Sequence, residues 1–327
     1  MYYDEDASLE PLLGKRIAMV GYGSQGRAHA LNLRDSGLDV VVGLRVGSPT
    51  TERAAGDGLT VTSISEACAG AEVVAFMLPD QFQAKVYEEV ILPALGAGTC
   101  LLFAHGFNIH YGLIEPPETS DVVMVGPKAP GPMLREVFEA GRGVPAVVAV
   151  QQDASGEGMA RALAYAQGLG CMRAGVLETT FAEETETDLF GEQVILAGGV
   201  SALIKTGFDV LVRAGYQPET AYFECLHEMK LVVDLIQRLG IGGMRRAVSD
   251  TAAYGSITRG HRVIGPESVR IMEEALEDIR SGAFAEEWAA EGAAGSPVLD
   301  EERRREAEHP IEEVGERLRG MMSGPSD

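Results

Sequence analysis

Basic side chains are the scarcest charged class in this 327-residue chain, with 27 Lys and Arg against 49 Asp and Glu and a formal net charge of −22. So acidic a surface repels a phosphate backbone and an anionic bilayer, so nucleic acid and membranes are not expected partners. Aromatic residues make up 6% of the chain, with a single Trp, which leaves little for a base-stacking surface. Only four cysteines are present, Cys68, Cys100, Cys171 and Cys225, without CxxC spacing. Neither a disulfide framework nor a thiolate metal site follows from them, and a reduced, cytoplasmic protein is expected. The start, MYYDEDASLE, lacks a basic segment followed by an apolar one. The apolar runs are broken by glycine or charge before about 18 residues, so neither a signal peptide nor a membrane span is expected.

What the chain does contain is 46% hydrophobic residues and 40 glycines, the composition of an ordinary folded protein. Its length suits two domains. Up to about residue 178, short apolar runs alternate with helical or loop stretches: RIAMV (16–20), DVVVG (39–43), EVVAFML (72–78), TCLLFA (99–104), DVVMVG (121–126) and VPAVVAV (144–150). This βα alternation predicts an α/β domain with a buried parallel sheet over residues 1–180. From 181 to 327 the strand-like runs vanish. Helical spacing predicts an all-α domain with helices near 181–213, 218–239, 251–259, 266–281, 283–291 and 299–320, then a polar tail. GEQVILAGGVSALIKTGFDVLVRAG is apolar on nearly every side, as in a helix packed all round or lying at a subunit interface. Gly198 and Gly199 are expected to let a neighbour approach.

Gly21, Gly23 and Gly26 form G-x-G-x-x-G between the first apolar run and a helical stretch ending near Gly37. In that context the three glycines serve a tight turn, close approach of a pyrophosphate, and contact between helix and strand. Tyr22, Ser24 and Gln25 belong to the same expected cofactor loop. The second run ends at Arg45, followed by Ser48 and Thr50, where a carboxylate would otherwise accept from a ribose 2′-hydroxyl. A guanidinium and two hydroxyls suit a 2′-phosphate, hence NADPH, although a solvated surface arginine reads the same way. LPDQFQ supplies Asp80 and Gln81, AHGFNIH supplies His105, and VGPKAPGP supplies Lys128, all at the strand ends where ligands bind an open α/β sheet. His105 suits proton transfer or substrate orientation, as it also suits a hydrogen-bonded spectator.

Asp188 and Glu192 are four residues apart, as are Glu224 and Glu228, so each pair shares one helix face. Like charges at that spacing beside Leu189, Phe190, Leu226 and Leu231 call for a cation, and four convergent carboxylates make a hard oxygen site for one or two Mg²⁺ ions. A solvated acidic face is the plainer alternative. Glu224-x-x-His227 also matches one half of a di-iron helical motif.

Taken together, GYGSQGRAHALNLRDSG, VVGLR, AHGFNIH, PKAPG, TETDLFGEQ, AGYQPETAYFECLHEMKLVVDLI and SDTAAYG resemble, in order over residues 1 to about 290, the short form of ketol-acid reductoisomerase, or acetohydroxyacid isomeroreductase. The resemblance implies a Rossmann domain for NADPH and a knotted helical domain. It also implies a homodimer as the minimum unit, with higher assemblies left open. It implies two Mg²⁺ ions on Asp188 and Glu192 and, from the partner chain, Glu224 and Glu228. The implied reaction is alkyl migration in 2-acetolactate or 2-aceto-2-hydroxybutyrate, then reduction to a 2,3-dihydroxy acid in branched-chain amino-acid biosynthesis. Glu228 would accept the proton, Lys128 and His105 would flank the reacting atoms, and Ser249 would bond the substrate carboxylate. Arg27, Pro132, Ala197 and Ala253 stand where the family usually has His, His, Cys and Glu. An altered substrate, or a 2-keto-acid reductase without the isomerase step, is therefore a competing expectation, and a silent NADP-binding scaffold is a third.

Overall fold

The computed structural model describes residues 1–322; the expected polar tail falls largely on residues 323–327, outside the described residues. The chain divides into two compact units, Met1–Thr187 and Asp188 onward. The division falls seven residues beyond the expected break because helix α8 (Phe181–Phe190) starts as part of the first unit: Phe181 is buried in its core and Glu184 is buried too.

In the first unit, β1 (Arg16–Val20), β2 (Asp39–Leu44), β3 (Thr60–Ser63), β4 (Val73–Phe76), β5 (Cys100–Phe103), β6 (Val122–Pro127), β7 (Ala146–Gln152) and β8 (Val176–Glu178) form one sheet in the order β3-β2-β1-β4-β5-β6-β7-β8. Ile17 and Met19 point to one core, shared with Leu31, Leu33 and Tyr165. Ala18 and Val20 point to the other, shared with Ile64, Tyr87 and Phe181. Burial on both faces is why the strands read as continuous apolar runs rather than alternating ones.

Three details differ from the sequence reading. β7 runs antiparallel to β6, from Pro127 opposite Ala146, while β8 is parallel to β7. An apolar run buried on both faces carries no mark of direction, so the pattern predicts a strand and leaves its sense open. β3, with sequence TVTS, and the three-residue β8 were missed because neither is a continuous apolar run.

Helices α1 (Ser24–Asp35), α2 (Thr51–Gly56), α3 (Ile64–Cys68), α4 (Asp80–Val86), α5 (Phe107–His110), α6 (Gly131–Glu139) and α7 (Gly158–Gly168) connect the strands. One buried polar joint fixes the start of β6. Asp121, fully buried, accepts hydrogen bonds from the Ser155 amide (2.9 Å), the Ser155 hydroxyl (2.7 Å) and Arg161 of α7 (2.8 Å).

The second unit is helical. α8 passes through a π-helical turn, Gly191–Leu196, into α9 (Gly198–Arg213), and α10 (Pro218–Tyr222) passes through another, Phe223–His227, into α11 (Glu228–Ala247). α12 (Asp250–Val263), α13 (Pro266–Ser281) and α14 (Ala283–Ala293) follow. The expected last helix is two, α15 (Pro297–Ala307) and α16 (Pro310–Met322), because Pro310 cannot sit inside a helix but fits at its first position. The core of this unit is small, built on Phe208, Tyr222, Ile311, Val314 and Leu318.

Within the single chain the apolar stretch over 191–213 is not packed all round. The continuous helical segment Phe181–Arg213 is long and apolar enough to cross a membrane by length and composition alone, and little of it is buried within the chain. Gly198 and Gly199 are also required within the helix itself. A Cβ at either would collide with the carbonyl oxygen of Gln193 or Val194, five residues earlier in the same helix, so the glycines clear the exit of the π turn.

Arg161→Met should leave Asp121 buried without its cation. The expected cost is roughly 3 kcal/mol, read as a lowered urea midpoint with an unchanged m-value.

Candidate active site

The glycine loop behaves as its spacing predicts. Gly21, at the end of β1, has φ +105°, and a Cβ there would sit 2.5 Å from the Met77 carbonyl oxygen. A Cβ at Gly26 would lie 2.7 Å from the Gly21 carbonyl oxygen, so this residue lets α1 rest on β1. Nothing lies within 4 Å of a Cβ at Gly23, where the approach is open for a ligand. The amides of the first turn of a helix have no partner within it, so the start of α1 suits an anion there. The loop is braced from outside: the Gln25 amide donates to the Ala129 carbonyl at 2.9 Å, and Gly131, at the start of α6, abuts the Ser24 backbone.

A cleft of about 740 Å³ opens over this loop. It is lined by Gly21, Tyr22, Gly23, Ser24 and Gln25 after β1 and by Arg45, Ser48 and Thr50 after β2. Leu78 to Asp80 line it after β4, and Ala104 and His105 after β5. Gln81 does not line it. Four adjacent strands, β2, β1, β4 and β5, thus contribute, and three strand spacings span roughly 14 Å. The chain order reverses between β1 and β4, the switch point at which such sheets bind ligands.

Arg45 is exposed at the end of β2, and the Ser48 and Thr50 hydroxyls pair at 3.1 Å in the loop beyond. Asp57, at the end of α2, is committed elsewhere. It accepts from the Tyr22 hydroxyl (2.8 Å) and from Arg27 Nε (2.7 Å) and Nη2 (2.9 Å), and Arg34 donates to its carbonyl. The Arg27 hydrogen bonds outweigh burial and, with that of Tyr22, hold the Asp57 carboxyl at about 2. Burial and the Asp57 partner push the Tyr22 phenol well up.

The structure brings His105 and Lys128 together on a residue the sequence reading passed over, Glu184. Its carboxylate is 2% exposed and accepts from His105 Nδ1 (2.9 Å), the Gly106 amide (3.1 Å) and Lys128 Nζ (2.8 Å). Burial alone would raise the Glu184 carboxyl, but the hydrogen bonds and charges of His105 and Lys128 bring it to about 2. A carboxylate only accepts, so the His105 proton sits on Nδ1. The signal for Glu184 was present in the sequence: it lies four residues before Asp188, on the same face of α8.

Asp188 stands in the last turn of α8 and Glu192 in the π turn after it; Glu224 lies in the second π turn and Glu228 begins α11. Both acidic pairs therefore straddle or border a turn closed by i→i+5 hydrogen bonds, a feature frequent at functional sites. Glu192, Glu224 and Glu228 are exposed; of the apolar residues that flank the pairs, Leu189 is buried, Phe190 and Leu226 are half-buried and Leu231 is exposed. Four carboxylates with no sulfur ligand are a donor set for a hard divalent cation. Ser249 caps α12, its hydroxyl accepting from the Ala252 amide at 3.2 Å. Of the departures, Arg27 grips Asp57 and Pro132 sits in the first turn of α6, where its missing amide costs no hydrogen bond. Ala197 joins the π turn to α9, and Ala253 lies in the first turn of α12.

A model for the acetohydroxy acid isomeroreductase NADPH-binding domain matches residues 11–175, and one for the ketol-acid reductoisomerase C-terminal domain matches residues 181–324. An NADH-preferring ketol-acid reductoisomerase from an uncultured archean is 47% identical over 99% of each chain, with a TM-score of 0.96. Two further structures share the fold. A semialdehyde dehydrogenase NAD-binding protein from Cupriavidus necator has a TM-score of 0.65 and 21% identity over 82% of this chain and 99% of its own. An oxidoreductase described as putative in its source, from Jannaschia sp. CCS1, has a TM-score of 0.63 and 18% identity over 84% and 98%.

Glu184→Gln should leave nicotinamide-cofactor affinity within about twofold and lower kcat roughly 10- to 100-fold, as expected when the group that fixes a histidine's tautomer and orientation is lost; fluorescence titration of the reduced cofactor beside steady-state rates separates the two. Asp57 supplies a pH-dependent contribution. Because its folded value lies below the ordinary 3.8, its stabilisation is fully present above about pH 4 and is lost as pH falls toward 2. Asp57→Asn should cost roughly 1–2 kcal/mol at pH 7 and flatten the loss of stability between pH 4 and 2, measured by urea unfolding across that range.

Proposed function

The chain belongs to the ketol-acid reductoisomerase family, and from that premise we propose how its residues divide the reaction. It is an oxidoreductase with isomerase activity that uses a nicotinamide cofactor and acts on a small molecule. We assign the substrate as 2-acetolactate or 2-aceto-2-hydroxybutyrate. The observation that carries this reading is the Glu184 cluster, which holds His105 at one end of the dinucleotide cleft with Lys128 beside it.

In the proposed division of labour, the loop at Gly21 to Gly26 and the start of α1 bind the pyrophosphate, while Arg45, Ser48 and Thr50 take the 2′-phosphate of NADPH. The relative at 47% identity is described as NADH-preferring. For this chain NADPH is favoured because the loop after β2 offers a guanidinium and two hydroxyls, and Asp57 is already held by Arg27 and Tyr22. His105, its Nδ1 proton fixed on Glu184, orients the substrate carbonyl beside the nicotinamide. Lys128 balances the charge of Glu184.

Asp188 and Glu192, with Glu224 and Glu228, are the residues that would hold two Mg²⁺ ions. Bound there, the ions would supply Lewis acidity to a carbonyl and a developing alkoxide. Glu228 takes the proton of the tertiary alcohol as the alkyl group moves to the neighbouring carbonyl carbon. When bound, the nicotinamide cofactor would supply the hydride for the new ketone, and return of the proton held by Glu228 to the resulting alkoxide would give a 2,3-dihydroxy acid. Ser249 is assigned to the substrate carboxylate.

A homodimer is proposed as the working unit. The second unit has a small core and exposes Leu203, Val210, Leu231, Ile241, Ile257 and Val269, more apolar surface than a solitary chain ordinarily leaves to water. The charged and polar residues interspersed along α9, Lys205 and Asp209 among them, suit a second copy better than lipid. With Cys68, Cys100 and Cys171 buried and unpaired, a reducing cytoplasm is the proposed setting.

The test is NADPH oxidation with 2-acetolactate, run with Mg²⁺, after chelation, with Asp188→Asn and with NADH. Metal-dependent turnover that drops at least a hundredfold in the variant, with the larger kcat/KM for NADPH, is expected. Reduction of 3-hydroxy-3-methyl-2-ketobutyrate without turnover of 2-acetolactate would instead identify a reductase that lacks the isomerase step.

A further inference from the structure

Behind the glycine loop lies a second cleft, of about 360 Å³. Tyr22, Gly23, Ser24 and Thr50 line both clefts, so the two meet along the loop and at the start of α2. The walls that belong to the second cleft alone include Arg27, Arg53 and Arg135, and no carboxylate lines it.

The three guanidinium groups are not equivalent. Arg27 is neutralised by Asp57, which it grips through two nitrogens. Arg135 is neutralised by Asp35 (2.6 Å) and Glu139 (2.8 Å) and also donates to Asn32. The guanidinium of Arg53, on the first turn of α2, has no hydrogen-bond or ion-pair partner among the described residues. Its charge is felt at Asp57. It forms no pair there because Arg27 engages both Asp57 oxygens and Tyr22 donates to one of them. The clamp on Asp57 thus leaves Arg53 as an uncompensated cation at the edge of a cleft that already touches the phosphate-binding loop. Arg45 is likewise unpaired among the described residues, on the other side of the Ser48–Thr50 loop.

We propose that this cleft is a phosphate-monoester subsite with Arg53 as its ligand. It takes a dianion that passes Thr50, either the ribose 2′-phosphate of the cofactor or a free phosphate. A planar guanidinium binds such a dianion through paired, charge-assisted hydrogen bonds, and an unpaired one does so without first breaking an ion pair. The 2′-phosphate source rests on the NADPH reading given above; the subsite itself does not. Arg53 adds a second guanidinium to the one supplied by Arg45, so the 2′-phosphate is held from both sides of the loop.

The experiment compares wild type, Arg53→Gln and Arg45→Gln by calorimetric titration with adenosine 2′,5′-bisphosphate and with 5′-AMP. Thermal unfolding in inorganic phosphate is run alongside. Arg53 is exposed and unpaired, so Arg53→Gln should fold with an unchanged Tm in phosphate-free buffer. The expected result is about a tenfold loss of bisphosphate affinity in Arg53→Gln with 5′-AMP affinity within about twofold. If wild type binds the two nucleotides equally, the NADPH reading fails. The subsite then stands on phosphate raising the Tm of wild type and not of Arg53→Gln, and falls if phosphate treats both alike. Loss of bisphosphate affinity in Arg45→Gln but not in Arg53→Gln would keep the NADPH reading and overturn this one. Equal weakening of both nucleotides by Arg53→Gln would overturn it too, because Arg53 would then act on the loop as a whole.

Discussion

A buried carboxylate, Glu184, ties together the residues of the proposed reaction centre that come from the sheet, His105 and Lys128. It sits on α8, at the point where the chain leaves the sheet unit for the helical one, and it holds a side chain and an amide from the end of β5 and an amine from the end of β6. Burial penalises its charge, and the hydrogen bonds it accepts more than offset that penalty. A carboxylate so placed leaves His105 one available tautomer and Lys128 a preferred direction. The next helical turn along the chain carries Asp188, the first of the proposed metal ligands.

The helical unit departs from regular geometry where its acidic residues stand. Glu192 and Glu224 lie in π turns, and the glycines after the first of these are needed so that the helix can tighten again without a Cβ striking a carbonyl. Such turns weaken a helix, and they persist where the altered direction of side chains is useful. The same unit leaves much of its apolar surface exposed. The proposed homodimer gives those two features a common reading, a second copy covering the bare apolar faces and completing the acidic pairs.

Two of the four departures from the usual family pattern have local explanations. Arg27 reaches Asp57 through two nitrogens and so fixes the end of α2 against α1, a grip an imidazole in its place would not reproduce. Pro132 starts α6 at a position where a missing amide costs nothing. Nothing in the structure explains Ala197 or Ala253.

The sequence alone determined the periodic and local features. Strands buried on both faces read as unbroken apolar runs, and the three glycines announced a turn, an opening and a contact, which their surroundings bear out. The acidic pairs announced themselves by helical spacing. These properties depend on residues a few positions apart, so they are written along the chain. Tertiary structure alone decided the rest. The antiparallel sense of β7 depends on where the chain turns back after α6, which an apolar run does not encode. The importance of Glu184 depends on His105 and Lys128, 79 and 56 residues away, and in the sequence it is one acidic residue among several in FAEETETD. The commitment of Asp57 to Arg27 and Tyr22, and with it the unpaired state of Arg53, likewise depends on α2 packing beside α1. A carboxylate or a guanidinium acquires its role from the charge that folding brings to it, and that charge comes from elsewhere in the chain.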